Sequence, residues 1–327
     1  CHTMGQIFNK LTPILEAGEE NGLPLGHGLC SLQQIRVGAL AKGVIPVPDM
    51  TMTSSYYCDM GSKADELLHE RYGHQAVYID GSMDSRWGEY PDYLPQRVEF
   101  LGGQLNKLFA KTKEILGVEV TPDDWDKAMS ASRHLFPAVG HLTQLMMADP
   151  MPISGVEAGL AQMLGAASTG RAMTEGPEAI DILCQEVERR VDEGIGVVER
   201  GAPRILCFGA PLSDPSIMHM MENTGLAMAA TFITAPIPKA PRPTTYTTLG
   251  EIRAEWEMRW GMYHSSYGWV KGFGNAVKAL NIDGVIWGYL FNCRPIALLS
   301  HFLKKWVEEN IGVPTLSLEM DIYDSRS

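Results

Sequence analysis

Cys30, Cys58 and Cys293 each occupy a segment suited to presenting a side chain. Cys30 lies in the Gly-rich stretch Gly26-His27-Gly28-Leu29-Cys30-Ser31, and Cys58 closes the run Thr53-Ser54-Ser55-Tyr56-Tyr57-Cys58-Asp59. Cys293 follows an apolar run within Asn292-Cys293-Arg294-Pro295. Three thiolates converging from three loops can hold three irons of a cubane and leave the fourth open to substrate. The spacing alone does not show this. Without a C-x-x-C signature, widely spaced cysteines are more often buried small hydrophobes. His27, Ser31, Asn292 and Arg294 stand beside the thiols and are polar enough to act on a substrate, although loop hydrogen bonding also accounts for them. Peptide N–H groups of Gly26 and Gly28 could donate to cluster sulfurs and tune their potential.

Other chemistries find less support. No G-x-x-x-x-G-K-[ST] loop is present, so the chain is not expected to hydrolyse ATP. The glycines between Gly268 and Gly274 lie on a helical segment and form no G-x-G-x-x-G after a strand. No H-x-x-x-H pair suggests a helical zinc site, and Ser31 lacks a G-x-S-x-G elbow.

The elements that must position these residues alternate between apolar runs and amphipathic stretches. Leu40 to Val47 and Ala76 to Ile79 read as strands, and Ser62 to Tyr72 as a helix. Val98, Leu101, Leu105, Leu108, Phe109 and Ile115 follow a helical period over Pro95 to Leu116. Thr121-Pro122-Asp123-Asp124 is a helix start, with a kink or break expected at Pro137 before the helix ends near Met147. Pro177 to Arg200 reads as a further helix whose apolar face places Cys184 in the core. From Arg204 onward, strands (Arg204 to Gly209, Leu226 to Ile233, Gly284 to Leu290, Pro314 to Leu318) alternate with helices (Asp214 to Thr224, Tyr267 to Leu280, Pro295 to Glu309). That alternation predicts a parallel sheet covered on both faces. Cys207 falls inside a strand and reads as core. Ala235 to Pro243, with four prolines, reads as a surface connection.

Composition narrows the partners. The 327 residues carry a formal charge of −12, which argues against nucleic acid and anionic membrane surfaces. No apolar run is long enough to span a bilayer, and the opening residues do not read as a charged-then-apolar signal peptide, so neither segment is expected. Six cysteines are too few for a disulfide scaffold, and reduced thiols suit the cytoplasm. The 18 methionines read as adaptable core filling.

An ordered set of segments carries a family resemblance. It comprises Gly28-Leu29-Cys30-Ser31 through Gly43-Val44-Ile45-Pro46, then Thr53 to Asp59 with Lys63, then Pro203 to Gly209 with Glu222-Asn223-Thr224-Gly225. It closes with Ile282 to Ile286, Cys293, and Gly312 through Asp321. In that order the set resembles the 2-hydroxyacyl-CoA dehydratase subunits, a family shared with benzoyl-CoA reductase subunits. The resemblance implies a [4Fe-4S] cluster on Cys30, Cys58 and Cys293, with His27 and Ser31 as candidate catalytic groups. It implies an acyl-CoA substrate, a homologous second subunit in a heterodimer or larger complex, and a separate ATP-dependent iron–sulfur activator that delivers one electron. In the dehydratases that electron makes a ketyl radical anion of the thioester carbonyl, water is expelled, and the electron is recovered, so the enzyme is a lyase. In the reductases it enters an aromatic ring, and an electron-transfer or structural subunit is a further alternative. The family pattern continues beyond Ser327, and the chain opens at Cys1 without an initiating Met, so both ends are expected to be truncated. The fold expected is α/β: two Rossmann-like units with parallel sheets and an intervening helical segment, with the cluster in the cleft between the units. The expected boundaries are residues 1–95, 96–200 and 201–327.

Overall fold

Runs of β-branched and small apolar residues fall into two parallel sheets in the computed structural model. It describes residues 11–21, 30–55, 58–83, 90, 92–169, 173–208, 215–230, 244–259, 266–290 and 293–321, with only the backbone of residues 215, 217, 218, 266, 294, 295 and 320. None of the described helices is long and apolar enough to cross a membrane.

Helices α1 (Thr12–Glu20) and α2 (Ser31–Ala41) precede strand β1 (Met50–Ser54), and α3 (Asp59–Tyr72) crosses from β1 to β2 (Gln75–Ile79). The two strands pair in parallel, Met50 opposite Gln75 and Ser54 opposite Ile79. A two-stranded parallel pair cannot stand alone. Helix α4 (Pro95–Leu116) covers it, and Val77, Ile79, Val98, Leu101, Leu105 and Leu108 form a core with Ala254 and Met258 from a helix far along the chain.

The second sheet comprises β3 (Arg204–Phe208), β4 (Ala227–Ala230), β5 (Gly284–Leu290) and β6 (Thr315–Met320), all parallel in the order β4-β3-β5-β6. Helices α5 (Pro122–Leu145), α6 (Gly155–Thr169) and α7 (Glu175–Glu193) come before β3. Helix α8 (Pro215–Glu222) lies between β3 and β4; α9 (Leu249–Met258) and α10 (Ser266–Ala279) lie between β4 and β5. Helix α11 (Arg294–Asn310) connects β5 to β6. The central strands are apolar on both faces, as a sheet covered twice requires. Trp287 on β5 is fully buried and stacks on Phe208 of β3 with ring centroids 4.1 Å apart, and Phe273 of α10 meets its edge at 5.2 Å. Leu135, Leu142, Ile180 and Val187 of α5 and α7 share this core with Leu206 and Val285. Residues 96–200 therefore distribute between two cores: α4 lies on the first sheet, and α5 and α7 lie on the second.

Helix ends follow local chemistry. Thr121 and Asp124 form a capping box at the start of α5, and Thr248 and Glu251 form another at the start of α9. Pro137 sits inside α5 without ending it. The expected strand over Leu40 to Val47 is not formed. Val37 and Leu40 extend the buried face of α2, Gly43 then turns the chain at φ 65°, and Val44 and Val47 are exposed. The first strand is the alternating Met50–Ser54 instead. Helix α7 stops at Glu193 rather than Arg200, because Gly194 takes the left-handed conformation (φ 68°) that closes a helix. The expected strand over Leu226 to Ile233 is described as Ala227–Ala230, and its last three positions lie outside the described residues, as does the whole Ala235 to Pro243 connection.

The α4–α9 contact joins sequence segments on either side of the second sheet's first strands, and glycine makes it possible. A Cβ on Gly102 would lie 2.6 Å from Glu251 Cγ and 2.8 Å from its Cα, whereas a Cβ on Gly103 would meet nothing within 4 Å. The Gly250 N–H also donates to Asn106 Oδ1 at 3.0 Å, and the Asn106 amide donates to Thr248 Oγ1 at 3.0 Å. The neighbouring glycines should therefore respond with opposite sign. Gly102→Ala should destabilise by about 1–3 kcal/mol, since backbone as well as side chain must move. Gly103→Ala should be neutral or stabilise by up to ~1 kcal/mol through helix propensity. Paired thermal or urea denaturation checks the sign of each.

Candidate functional site

All three candidate cysteines take the same structural position. Cys30 immediately precedes α2, Cys58 precedes α3, and Cys293 precedes α11, so each is the N-cap residue of its helix. The local sequences explain this. Cys58 is followed by Asp59, an acid favourable in a first turn, and Cys293 by Pro295 in the first turn, where its missing N–H costs nothing. Cys58 lies in the connection leaving the carboxyl end of β1, and Cys293 in the one leaving β5. Open parallel sheets bind ligands beyond those ends, near the point where strand order reverses; here β3 is flanked by β4 on one side and β5 on the other.

Two influences oppose each other at these sulfurs. A helix N-terminus presents unpaired N–H groups and a partial positive charge, which favour a thiolate. Burial disfavours it. Burial pushes the Cys293 thiol up to about 11; the N–H of Ile296 offsets part of this, and the charges of Cys30 and Cys58 add to it. Burial likewise raises Cys30. The N–H groups of Gln33 and Leu32 counter it, while Cys58 and Asp321 push it further up. No cysteine side chain makes a formal capping hydrogen bond. The thiols thus act on one another across a large separation in sequence, which places them in one electrostatic neighbourhood. Among the described residues, no three His, Cys, Asp or Glu side chains close on a single metal ion.

The other described cysteines lie in apolar surroundings. Cys184 is 2% exposed in the second-sheet core, and its thiol lies 3.9 Å from the Ala138 carbonyl. Cys207 is fully buried on β3 with Val156, Ile205 and Met228. Ser31 is also buried; its Oγ donates to Asp321 Oδ1 across the two sheet units. His27 and Asn292 lie outside the described residues, as do Gly26 and Gly28, and only the backbone of Arg294 is described.

Sequence reasoning placed the cysteines in loops and did not identify them as helix caps. A signal was present: each immediately precedes residues suited to a helical first turn. It also left Asp321 without a role. A polar group set was missed in the connection leaving β2: the Tyr93 hydroxyl donates to Glu255 Oε1 at 3.0 Å, and Arg259 pairs with Glu255 at 3.4 Å, both charged side chains being largely buried. Burial raises Tyr93 above the usual phenol range, and the hydrogen bond to Glu255 adds to this.

Comparison with known proteins agrees with the segment pattern. Residues 4–327 match the family described as 2-hydroxyglutaryl-CoA dehydratase, D-component. The chain is 21% identical over 288 residues to the (R)-2-hydroxyglutaryl-CoA dehydratase subunit alpha of Acidaminococcus fermentans, covering 86% of this chain and 57% of that protein. It is 20% identical over 302 residues to the (R)-phenyllactyl-CoA dehydratase alpha subunit of Clostridium sporogenes, covering 92% of this chain and 72% of that protein. The chain thus spans little more than half the length of the first relative. With nearly its whole length matched in a fold of parallel sheets and helices, this chain belongs to the 2-hydroxyglutaryl-CoA dehydratase D-component family.

Proposed function

We propose that this chain is the cluster-carrying part of a 2-hydroxyacyl-CoA dehydratase subunit, with Cys30, Cys58 and Cys293 holding one [4Fe-4S] cluster between the two sheet units. The observation that carries this reading is that three N-cap cysteines from three helices act on one another electrostatically. Thiolates on different corners of a cubane stand roughly 6–7 Å apart, so such a site need not close on any single ion. When bound, the cluster supplies a low-potential electron and, at an iron without a thiolate, a Lewis acid for a thioester carbonyl.

The chain's own residues set the environment for that chemistry. The N-termini of α2, α3 and α11 offer partial positive charge to an anionic cluster and to negative charge developing on a substrate oxygen. Cys30 and Cys293 are half-buried, so the sulfurs are partly desolvated, which strengthens those interactions. Ser31 spends its hydroxyl proton on Asp321, so it serves as a structural donor at the site rather than a free acid. The relatives' names describe alpha subunits of acyl-CoA dehydratases. The partner proposed is accordingly a homologous second subunit, with ATP-driven electron delivery assigned to a separate iron–sulfur protein.

Alanine at Cys30, Cys58 or Cys293 should reduce iron after anaerobic reconstitution from about four per chain to less than one. Cys184→Ala should keep its iron and lose on the order of 1 kcal/mol of stability. Iron and acid-labile sulfide analysis reads both, and full iron in all three ligand variants would sink the site.

Cluster assembly should also depend on pH. Ligation requires thiolates, and burial raises Cys30 and Cys293 above the ordinary thiol range, so protons compete with iron. Assembly on the reduced chain should therefore quicken steadily from about pH 7 to about pH 9, with protons released as iron binds. Stopped-flow absorbance against pH measures this; a flat profile would contradict it.

A further inference from the structure

Ser31 is the first residue of α2, directly after Cys30. Its side chain is 2% exposed, and its Oγ donates to Oδ1 of Asp321 at 2.5 Å. Asp321 directly follows β6, which pairs in register with β5 from Val285↔Thr315 to Leu290↔Met320. Strand β5 in turn leads to Cys293, whose N–H donates to the Leu290 carbonyl at 3.0 Å. One hydrogen bond therefore links a helix of the first unit to a strand end of the second, between residues 290 positions apart. On either side of it, Cys30 is one residue away and Cys293 is one short turn beyond the paired strand.

A hydroxyl this buried has given up water, so losing its acceptor leaves a desolvated donor. A carboxylate acceptor makes the bond roughly twice as strong as a neutral one. The negative charge of Asp321 does not itself favour a thiolate beside it, since like charges repel.

We infer that Asp321 is a positioning residue: by accepting the Ser31 hydrogen bond it locks the start of α2 onto the end of β6 and fixes the Cys30 thiol relative to the Cys293 thiol. This rests on the reading that the two thiols serve one site, and it has Asp321 set the register between the units through Ser31. Asn at position 321 retains a carbonyl oxygen that can take the same hydrogen bond, whereas Ala does not.

The test uses the full chain, reduced and free of iron, treated with a short bis-methanethiosulfonate cross-linker. Peptide mass spectrometry quantifies the Cys30–Cys293 bridge. Asp321→Asn, which keeps a neutral acceptor, should bridge less than wild type but well above Asp321→Ala. Asp321→Ala and Ser31→Ala should each fall about tenfold or more, the equilibrium factor for one hydrogen bond to a charged acceptor. Far-UV circular dichroism on the same samples establishes that the variants are folded; if Asp321→Ala is not, Ser31→Ala decides. Wild-type bridging in Ser31→Ala overturns the inference. So does an Asp321→Asn yield as low as that of Asp321→Ala, because the charge and not the hydrogen bond would then set the distance. Anaerobic iron loading of the wild type is measured separately. If it fails while the bridging pattern holds, the cluster reading falls and the positioning role stands.

Discussion

The first turn of an α-helix carries N–H groups with no partner inside the helix, and a buried helix start must find an anion or a polar atom to meet them. In this chain the starts of α2, α3 and α11 each place a cysteine at that point, and the thiols lie close enough to act on one another. Without an anionic occupant the arrangement is poorly balanced. Burial and the neighbouring thiols drive Cys30 and Cys293 toward the neutral form, while the helix ends call for negative charge. In the reading proposed above, thiolates bound to a metal cluster would resolve the conflict, because the cations would neutralise what burial penalises.

Keeping three helix starts in one place requires rigid parts behind them. Helix α3 is the crossover between β1 and β2, so its start is set by a paired strand. Helix α11 is the crossover from β5 to β6, and β5 is held centrally by β3 on one side and β6 on the other, with Trp287 stacked on Phe208 beneath. Helix α2 belongs to no sheet. It packs on α1 through a close approach at Gly38, where a Cβ would stand 1.8 Å from the Ile14 carbonyl oxygen, and its start is tied by Ser31 to Asp321. The α4–α9 contact at Gly102 and Gly250 links the first sheet to a helix that precedes β5, so the two units are joined there as well as at the Ser31–Asp321 bond.

Much of this was legible in the residues. The second sheet could be read because each of its strands is a short apolar run bounded by Gly, Pro or Asp, with an amphipathic stretch between neighbours. The capping box at Thr121 was visible for the same local reason. Leu40 to Val47 misled because a short apolar run does not distinguish a helix end from a strand, and the turn at Gly43 decided it. Helices α1, α2, α6 and α9 went unread: α1 and α2 are short, α6 is rich in Gly and Ala, and the face of α9 is specified by α4, distant in sequence. For the site, the three cysteines stood out only through the ordered family segments, since their separation hides any spacing rule. Asp321 could not be read at all, because its role depends on a contact between residues at opposite ends of the chain.

The central claim is that three thiolates at helix N-termini hold one cubane and leave one iron for other chemistry. A Mössbauer spectrum of the anaerobically assembled chain loaded with iron-57 tests it most directly, because it resolves each iron by its ligands. The account predicts one cluster per chain with three irons of one type and a fourth distinct from them, the fourth alone shifting when an acyl-CoA is added. Four equivalent irons, a cluster of another nuclearity, or a spectrum of unclustered iron would contradict it.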